Sequence, residues 1–513
     1  MNADSEPNFL RADKSPLAKL QFCIFVVALL LLLGYRLSTS VVDPDLWHEM
    51  ALAREIVATG TVPWEDSFAY TETVYPVVHH EWGAGMTGYA LAMQFGANGI
   101  IALKFALILT LGCLCWLGAR LQGSRFFTFG MLAIVAILLA DEGFSTVRAQ
   151  MYSFVFTALM MVFLIVDRNG GRWWIGPWLA LYVVWLNLHA GFLLGSGLFF
   201  FNWLEQFVSR RPHKHLLACG VVMSLLICLN PYGYHYYSYL ASASLMPRPE
   251  IAEWGSLFTA GRPHQFVAMI VAFVLTILTA LHLKRSKTPF FGWLMILVSA
   301  VYAIKHSRML PFFAIVWLTH IPGYLQSSSV GMALESAWRN LRLQWCVIWS
   351  AASVAAILCI SESKPWILRI PGIQAEQRGA VTFPVGPVEY LAENELTGNL
   401  LVPFDNGAYV AWKLAPGVKI SMDSRYEVAF PPGAFEVNYE LYMNGTDWQE
   451  AVNDGQTDYV LVPVWSPLKA NLTESADWFL AYIDDAFSLF VRSEKNELPI
   501  VDRTTSQING RFP

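Results

Sequence analysis

Two acids one residue apart, Asp43 and Asp45, stand in the run Asp43-Pro44-Asp45-Leu46-Trp47-His48-Glu49, directly after a long apolar stretch. A carboxylate held at the rim of an apolar layer loses part of its hydration. Its basicity rises, and it becomes a candidate general base. A pair of such acids can equally grip a metal ion or a sugar hydroxyl. The structural alternative is capping: Pro44 suits the first position of a helix, which would make Asp43 its N-cap.

Other chemistry-bearing clusters follow. Glu65-Asp66 and His79-His80-Glu81-Trp82 lie further along the same polar segment and suit acceptor binding, or otherwise solvated turns and an aromatic anchor. Adjacent histidines rarely serve one ion well, so a metal site there is the weaker reading; no cofactor is fixed by the residues, and a divalent metal is the one they could hold. Arg148-Ala149-Gln150 and Lys305-His306-Ser307-Arg308 each open an apolar span. Ionisable groups at span ends mark functional cavities, where arginine offers a charge-assisted fork to a phosphate; interfacial snorkelling is the alternative. Asn187-Leu188-His189 sits between two spans and suits a substrate contact or a buried hydrogen-bonded pair. Asn230-Pro231-Tyr232-Gly233 reads as a turn, with Glu253-Trp254 following it. In the polar tail, Asp405-Asn406-Gly407 and Asp423-Ser424-Arg425 read as local turn chemistry. Asn444-Gly445-Thr446 and Asn471-Leu472-Thr473 match glycosylation sequons, which matter only in a eukaryotic host.

What must position these residues is a membrane. The chain is 55% hydrophobic and 14% charged over 513 residues, a charge fraction well below that of soluble domains. About eleven apolar spans are legible, at 20–37, 100–117, 126–140, 154–166, 173–186, 192–207, 216–229, 266–283, 290–304, 309–321 and 345–360. The shorter ones must borrow flanking residues to cross ~30 Å of hydrocarbon. The first is too long for a signal-peptide core and lacks a small-residue cleavage site, so it reads as a retained span. All seven cysteines lie in these spans, which argues for packing and against a disulfide framework or a thiolate metal site.

Basic residues set the orientation. Arg11, Lys14 and Lys19, Arg120 and Arg125, Arg168 and Arg172, Arg210, Arg211 and Lys214, Lys284, Arg285 and Lys287, and Arg339 and Arg342 fall in every second loop, which is therefore cytoplasmic. The alternate loops, with every acid–base cluster named above, face outward. The tail from about residue 361 carries 21 acidic and 11 basic residues, so an acidic external domain follows a basic membrane part.

The expected organisation is a cytoplasmic tail at 1–17, a transmembrane domain at 18–360 and an external α/β domain at 361–513. Within the first external loop, 38–98, an amphipathic interfacial helix is expected over 46–58 with Leu46, Met50, Ala53 and Val57 as its apolar stripe. Gly60 ends it and Pro63 prevents resumption, and a second helix is expected over 83–95. In the tail, strands are expected at 400–403, 418–422, 459–463 and 486–491, and helices at 387–395, opened by Pro387, and 448–452.

This arrangement resembles the GT-C superfamily of membrane glycosyltransferases, which includes protein mannosyltransferases and the aminoarabinose transferases of lipid A. The resemblance rests on Asp43-Pro44-Asp45, Trp47-His48, Ala53-Arg54, Gly60, Pro63 and Asp66 in the first loop. His80-Glu81-Trp82, Arg148-Ala149-Gln150, Asn187-Leu188-His189, Asn230-Pro231-Tyr232-Gly233 and Asp423-Ser424-Arg425 extend it in order and on one side, similar to an uncharacterised bacterial subgroup. It implies an all-α polytopic membrane protein with a small extracytoplasmic α/β domain, in a bacterial inner membrane, with its N-terminus cytoplasmic and its C-terminal domain periplasmic. The implied donor is a polyprenyl-phosphate sugar, and the acceptor a lipid, glycan or protein; membrane lipids are partners and nucleic acid is not. Asp43 would deprotonate the acceptor, the anomeric carbon would invert, and Arg148, Lys305 and Arg308 would take the phosphate charge. Asp45 shares the catalytic position. Asp66, His79, His80, Glu81, Asn187, His189 and Glu253 would contact the acceptor or the substrate.

There are departures. The tail lacks the Trp-Trp-Asp signature of the oligosaccharyltransferase catalytic subunit, and Asp-Pro-Asp is not the Asp-Glu pair of the mannosyltransferases, so which acid is the base stays open. A lipid transporter or flippase, and a non-catalytic assembly protein of the same fold, are the rival readings. No internal hydropathy repeat of the transporter kind is visible.

Overall fold

The computed structural model describes residues 15–37, 41–144, 146–246, 252–259, 261–372, 381–453, 455–495, 498–506, 508 and 510–513. The polar N-terminal stretch 1–14 and residues 247–251 and 260 of the long polar segment after the seventh span fall outside them.

Every expected span coincides with a helix. The membrane part runs α1 (Pro16–Arg36), α2 (Pro44–Thr59), α3 (Trp82–Phe95), α4 (Ala97–Leu121), α5 (Phe126–Ala140), α6 (Gln150–Arg168), α7 (Ile175–Leu188) and α8 (Phe192–Val208). It continues with α9 (Lys214–Leu226), α10 (His235–Leu245), α11 (Pro263–Ser286), α12 (Trp293–Lys305), α13 (Leu310–Gln326), α14 (Ser329–Asn340) and α15 (Arg342–Ser363). Six helical stretches, α1, α4, α5 with its 3-10 extension to Phe144, α6, α11 and α15, are long and apolar enough to cross a membrane. Their outer faces show Leu30, Leu109, Ile277 and Leu358 at least half exposed, as a lipid-facing surface requires. Helix α13 is the opposite case. It is buried almost throughout and packs against α4, α5, α6, α11 and α12, so it forms the axis of the bundle.

Four helices are apolar but short. At 1.5 Å per residue, α7 with 14 residues and α12 with 13 reach only about 20 Å. Three of the short ones, α7, α8 and α12, abut the site at one end. Their shortness leaves room there for the polar residues described below.

The C-terminal domain is a six-stranded mixed sheet, order β2-β1-β3-β5-β4-β6. Its strands are β1 (Gly398–Leu401), β2 (Val418–Ile420), β3 (Tyr459–Pro463), β4 (Trp478–Ile483), β5 (Phe487–Arg492) and β6 (Val501–Asp502), with helices α16 (Val385–Glu393), α17 (Phe404–Leu414), α18 (Ala434–Asn444), α19 (Trp448–Val452) and α20 (Leu468–Glu474). Strand β3 is central and wholly buried. Tyr459 and Leu461 enter one apolar cluster and Val460 and Val462 another, so its apolar run reflects two covered faces.

Several local expectations change. Asp405-Asn406-Gly407 is not a turn but the opening of α17, which connects the parallel strands β1 and β2. The helix expected to open at Pro387 starts two residues earlier, with the proline still in its first turn. Strands β4 and β6 and helices α18 and α20 carried no signal strong enough to read.

The larger correction concerns α2. It does not show a single apolar stripe: Val57 is 59% exposed, whereas Trp47 and Ala51 are buried beside Leu46, Met50 and Ala53. The reason is that α2 is sandwiched. Helix α3 covers one side, where Gly85 brings its backbone against Glu49 so closely that a Cβ would meet the Glu49 carbonyl oxygen at 2.5 Å. Helix α17 covers another, and Trp47 sits among the rings of Phe383, Tyr409 and Phe512 at 5.9, 5.1 and 5.5 Å. Gly60 does end α2, in the left-handed conformation at φ 78°.

First loop and C-terminal domain are thus one body. Arg54 of α2 donates to the carbonyls of Trp412, Ala411 and Ala415 at the end of α17. The Tyr70 amide donates to the Ile420 carbonyl at 3.0 Å, and the Ile420 amide donates to Phe68 at 2.9 Å, extending the edge of the sheet. Buried Arg425 is clamped between Asp423, at 2.8 and 2.9 Å, and Asp66 of the first loop. Removing the guanidinium leaves two buried carboxylates unpaired, a loss of about 3–5 kcal/mol. Arg425→Ala is therefore expected to lower the thermal unfolding midpoint of the purified protein by several degrees; an unchanged midpoint would show that the clamp is not a structural tie.

Candidate active site

One cavity of about 1180 Å³ opens where the helical bundle meets the C-terminal domain. Among the sequence-derived candidates, Asp43, Asp45, His79, His80, Glu81, Arg148, His189, Glu253 and Arg308 line it. Asp66, Asn187 and Lys305 do not. Asp66 is the clamp partner just described. Asn187 accepts from the Trp82 indole at 3.0 Å and donates to the carbonyls of Val183 and Leu229, and so joins spans to the first loop. Lys305 is exposed at the last turn of α12.

Asp43 is the N-cap of α2. One carboxylate oxygen accepts from the Asp45 amide at 3.0 Å; the other accepts from Thr146 at 2.7 Å and from the Arg148 Nε. It is 1% exposed, so both oxygens are spent on holding the start of α2 to the start of α6. Arg148 reaches further, donating through Nη1 to Glu253 Oε1 at 2.7 Å. Arg308 stands 3.7 Å from the other oxygen of Glu253. Burial tends to deprotonate Arg148, but Asp43 and Glu253 outweigh it and keep the guanidinium charged.

Asp45 lies one residue into the helix, its carboxylate half-buried in the cavity wall and without a hydrogen-bond partner among the described residues. Burial first, then the Asp43 charge, push its pKa up to about 7, against the pull of Arg148. One turn on, the buried Glu49 carboxyl stands beside Glu81. Burial and the Glu81 charge raise Glu49 well above the carboxylate range. Glu81 is driven below it, because His80, His189 and the Glu49 carboxyl together outweigh burial. With two imidazoles facing Glu81 and none facing Glu49, the environment of the pair favours the proton on Glu49.

Burial lowers the pKa of His189, His48 and His79, which favours their neutral forms. His189 Nδ1 accepts from the Gly191 amide at 2.8 Å, so its Nε2 carries the hydrogen that faces Glu81 Oε1 at 3.3 Å. His80 Nε2 stands 3.2 Å from the same oxygen, with Tyr239 on its Nδ1 at 2.8 Å. Burial lowers His48 to about 4, and His79, likewise depressed by burial and then by Arg425, is tied through its amide to the Tyr232 hydroxyl. Tyr232 also donates to Pro63, so the Asn-Pro-Tyr-Gly turn props up the first loop. Among the described residues no three His, Cys, Asp or Glu side chains stand so as to hold a metal ion.

The far arm of the cavity is apolar. Leu193, Leu194, Gly197, Leu198 and Phe201 form one face of α8, opposite Val298 and Tyr302 of α12. That face runs about 12 Å along the helix. Its wall is open outward at Leu193 and Tyr302, 39% and 49% exposed, and a Cβ at Gly197 would meet nothing within 4 Å. From sequence alone this face could not be told from any lipid-facing one. Glu49 was legible in principle, since the spacing from Asp45 places both on one face of a helix.

Fold and chamber together define an integral-membrane protein with an amphiphilic cavity, largely apolar with a charged end, between its bundle and its C-terminal domain. No family model and no curated protein matches the sequence. The solved structures to which the chain is similar include two crystal structures of ArnT from Cupriavidus metallidurans. The one bound to undecaprenyl phosphate aligns at 15% identity over 91% of this chain and 97% of that chain, with a TM-score of 0.47. The apo form aligns at 13% identity over 93% and 98%, with a TM-score of 0.49. Likeness at this level brings neither substrate nor residue roles with it.

The proton assignment has a direct consequence. Glu49→Gln replaces a protonated acid by its near-isostere and is expected to change stability by less than about 1 kcal/mol, whereas Glu81→Gln removes the charge that both histidines face and costs about 1–3 kcal/mol. Thermal unfolding of the two variants checks the order; the reverse order would move the proton to Glu81.

Proposed function

We propose that this protein is an integral-membrane glycosyltransferase that moves a sugar from a polyprenyl-phosphate donor to an acceptor at the extracytoplasmic face. The observation that carries the proposal is the continuity of the cavity. A pair of arginines and a carboxylate with no hydrogen-bond partner among the described residues share one chamber with an apolar groove whose wall is exposed at Leu193 and Tyr302. That combination suits an amphiphile with an anionic head and a long hydrocarbon tail. The opposite end of the bundle carries Arg125, Arg168, Arg172 and Arg211, which supports a cytoplasmic assignment for that end and an external, periplasmic one for the cavity.

In this reading Asp45 is the base. Its carboxylate is free and its affinity for protons is matched to neutral pH. Asp43, with its oxygens engaged, positions Arg148 instead. Asp45 takes the proton of an acceptor hydroxyl or amine, and the acceptor atom bonds to the anomeric carbon from the side opposite the phosphate. The carbon–oxygen bond to phosphate breaks with its electron pair, and Arg148 and Arg308 stabilise the charge that appears on the leaving group. Back-side attack inverts the anomeric centre. Glu81 and His80 lie where they can hold the sugar hydroxyls.

Asp45→Asn is expected to reduce transfer about 10²–10⁴-fold while leaving polyprenyl-phosphate binding intact. Asp43→Asn should weaken that binding, because it releases Arg148. If Asp45→Asn keeps full turnover, Asp45 is not the base. The pH profile of transfer gives a separate check. A base with pKa about 7 is protonated below that value, so kcat/KM should fall about tenfold per pH unit as pH drops beneath it. A flat acid limb down to pH ~5 would contradict the assignment. Filling the groove by Gly197→Phe should weaken binding of undecaprenyl phosphate but leave that of a short-chain prenyl phosphate unaffected; equal effects on both would remove the groove as the tail site.

A further inference from the structure

We infer that the Glu253 carboxylate occupies the seat of the donor phosphate, so that lipid phosphate and Glu253 compete for Arg148 and Arg308. This rests on the arginine pair being a phosphate seat. It adds that the protein carries its own displaceable anion for that seat.

The geometry is that of a bridging ligand. One carboxylate reaches guanidinium groups from two separate elements, Arg148 before α6 at 2.7 Å and Arg308 before α13 at 3.7 Å, as two oxygens of a phosphate would. The two acids that hold Arg148 differ in freedom. Asp43 has a 1% exposed side chain and is fixed by its capping bonds, whereas the Glu253 side chain is 30% exposed and, among the described residues, has no hydrogen-bond donor besides Arg148. Of the two, Glu253 is the one that can leave.

Its backbone, by contrast, is pinned. Ser307 donates through its hydroxyl to the Glu253 carbonyl at 3.1 Å and through its amide to Gly255 at 2.9 Å, and His306 Nδ1 bonds the Trp254 carbonyl at 2.8 Å. Emptying the seat therefore needs only a side-chain rotation. Burial disfavours the charge on Glu253, but Arg148 and Arg308 outweigh it, so the group competes as an anion. Arg262, itself paired with Glu142, also acts favourably on that charge. Two arginines facing each other in a half-buried pocket repel when no anion lies between them. Glu253 keeps them in place without substrate, and its return helps to expel the polyprenyl phosphate left after transfer.

The test is binding of undecaprenyl phosphate to the full-length protein in lipid nanodiscs, for the native chain, Glu253→Gln and Arg308→Ala. Removing a competitor that fills most of the resting seat should tighten binding about tenfold or more in Glu253→Gln, with correspondingly slower dissociation. Arg308→Ala should weaken it. Unchanged or weaker binding by Glu253→Gln, with Arg308→Ala still impaired, overturns the competition and leaves the phosphate seat standing. Equal binding by the native chain and Arg308→Ala defeats the phosphate seat itself. Should Glu253→Gln fail to fold, Glu253→Asp serves in its place: it is too short to bridge both arginines, and it must bind more tightly than the native chain for the competition to hold.

Discussion

Arg148 is the side chain on which the site depends. Its guanidinium joins the capping acid of α2 to the entrance of α6 and to the loop that carries Glu253, three stretches of chain more than a hundred residues apart. A charge so enclosed is costly to desolvate, and its partners hold it only because their geometry is fixed by other bonds. Asp43 is fixed by capping α2 and by Thr146; the Glu253 backbone is fixed by Ser307. Such a buried pair stabilises little by itself. What it provides is a cation held in one place at the boundary between a polar chamber and a greasy groove.

Next to that cation the chamber sorts its acids by environment. Three carboxyl groups within two turns of α2 and the start of α3 are pushed in different directions: Asp45 up to about 7, Glu49 well up, Glu81 well down. The causes are local. Asp45 is desolvated beside another acid, Glu49 is buried against Glu81, and Glu81 has two imidazoles facing it. A chamber with a charged acid, a neutral acid and an acid poised between them has a base, a hydrogen-bond donor and an acceptor available at one pH.

The C-terminal domain closes this chamber rather than decorating it. Its sheet shares an apolar cluster with α2, and the buried Asp66–Arg425–Asp423 clamp fixes the seam. Because α2 is packed between α3 and α17, its acids face the cavity from a rigid element, which is where precise geometry is best held.

Much of this was readable in the amino-acid order. Long apolar runs can only be lipid-embedded helices, so every span was visible, and a Pro following an acid announced the start of α2. That His80, Glu81, Arg148, His189, Glu253 and Arg308 share one side followed from the alternation of basic loops, because charge cannot cross hydrocarbon freely. What the tertiary structure decided is which of the same-sided groups touch. Asp66, Asn187 and Lys305 carry the same chemistry as their neighbours, yet packing turns the first two into ties between elements and leaves the third outside. The apolar groove along α8 is likewise invisible in sequence, since a leucine facing a ligand's tail and a leucine facing bulk lipid obey the same hydrophobic rule. The titration order of Asp45, Glu49 and Glu81 is decided in the same way, because it depends on burial and on distances between residues that the chain brings together only when folded.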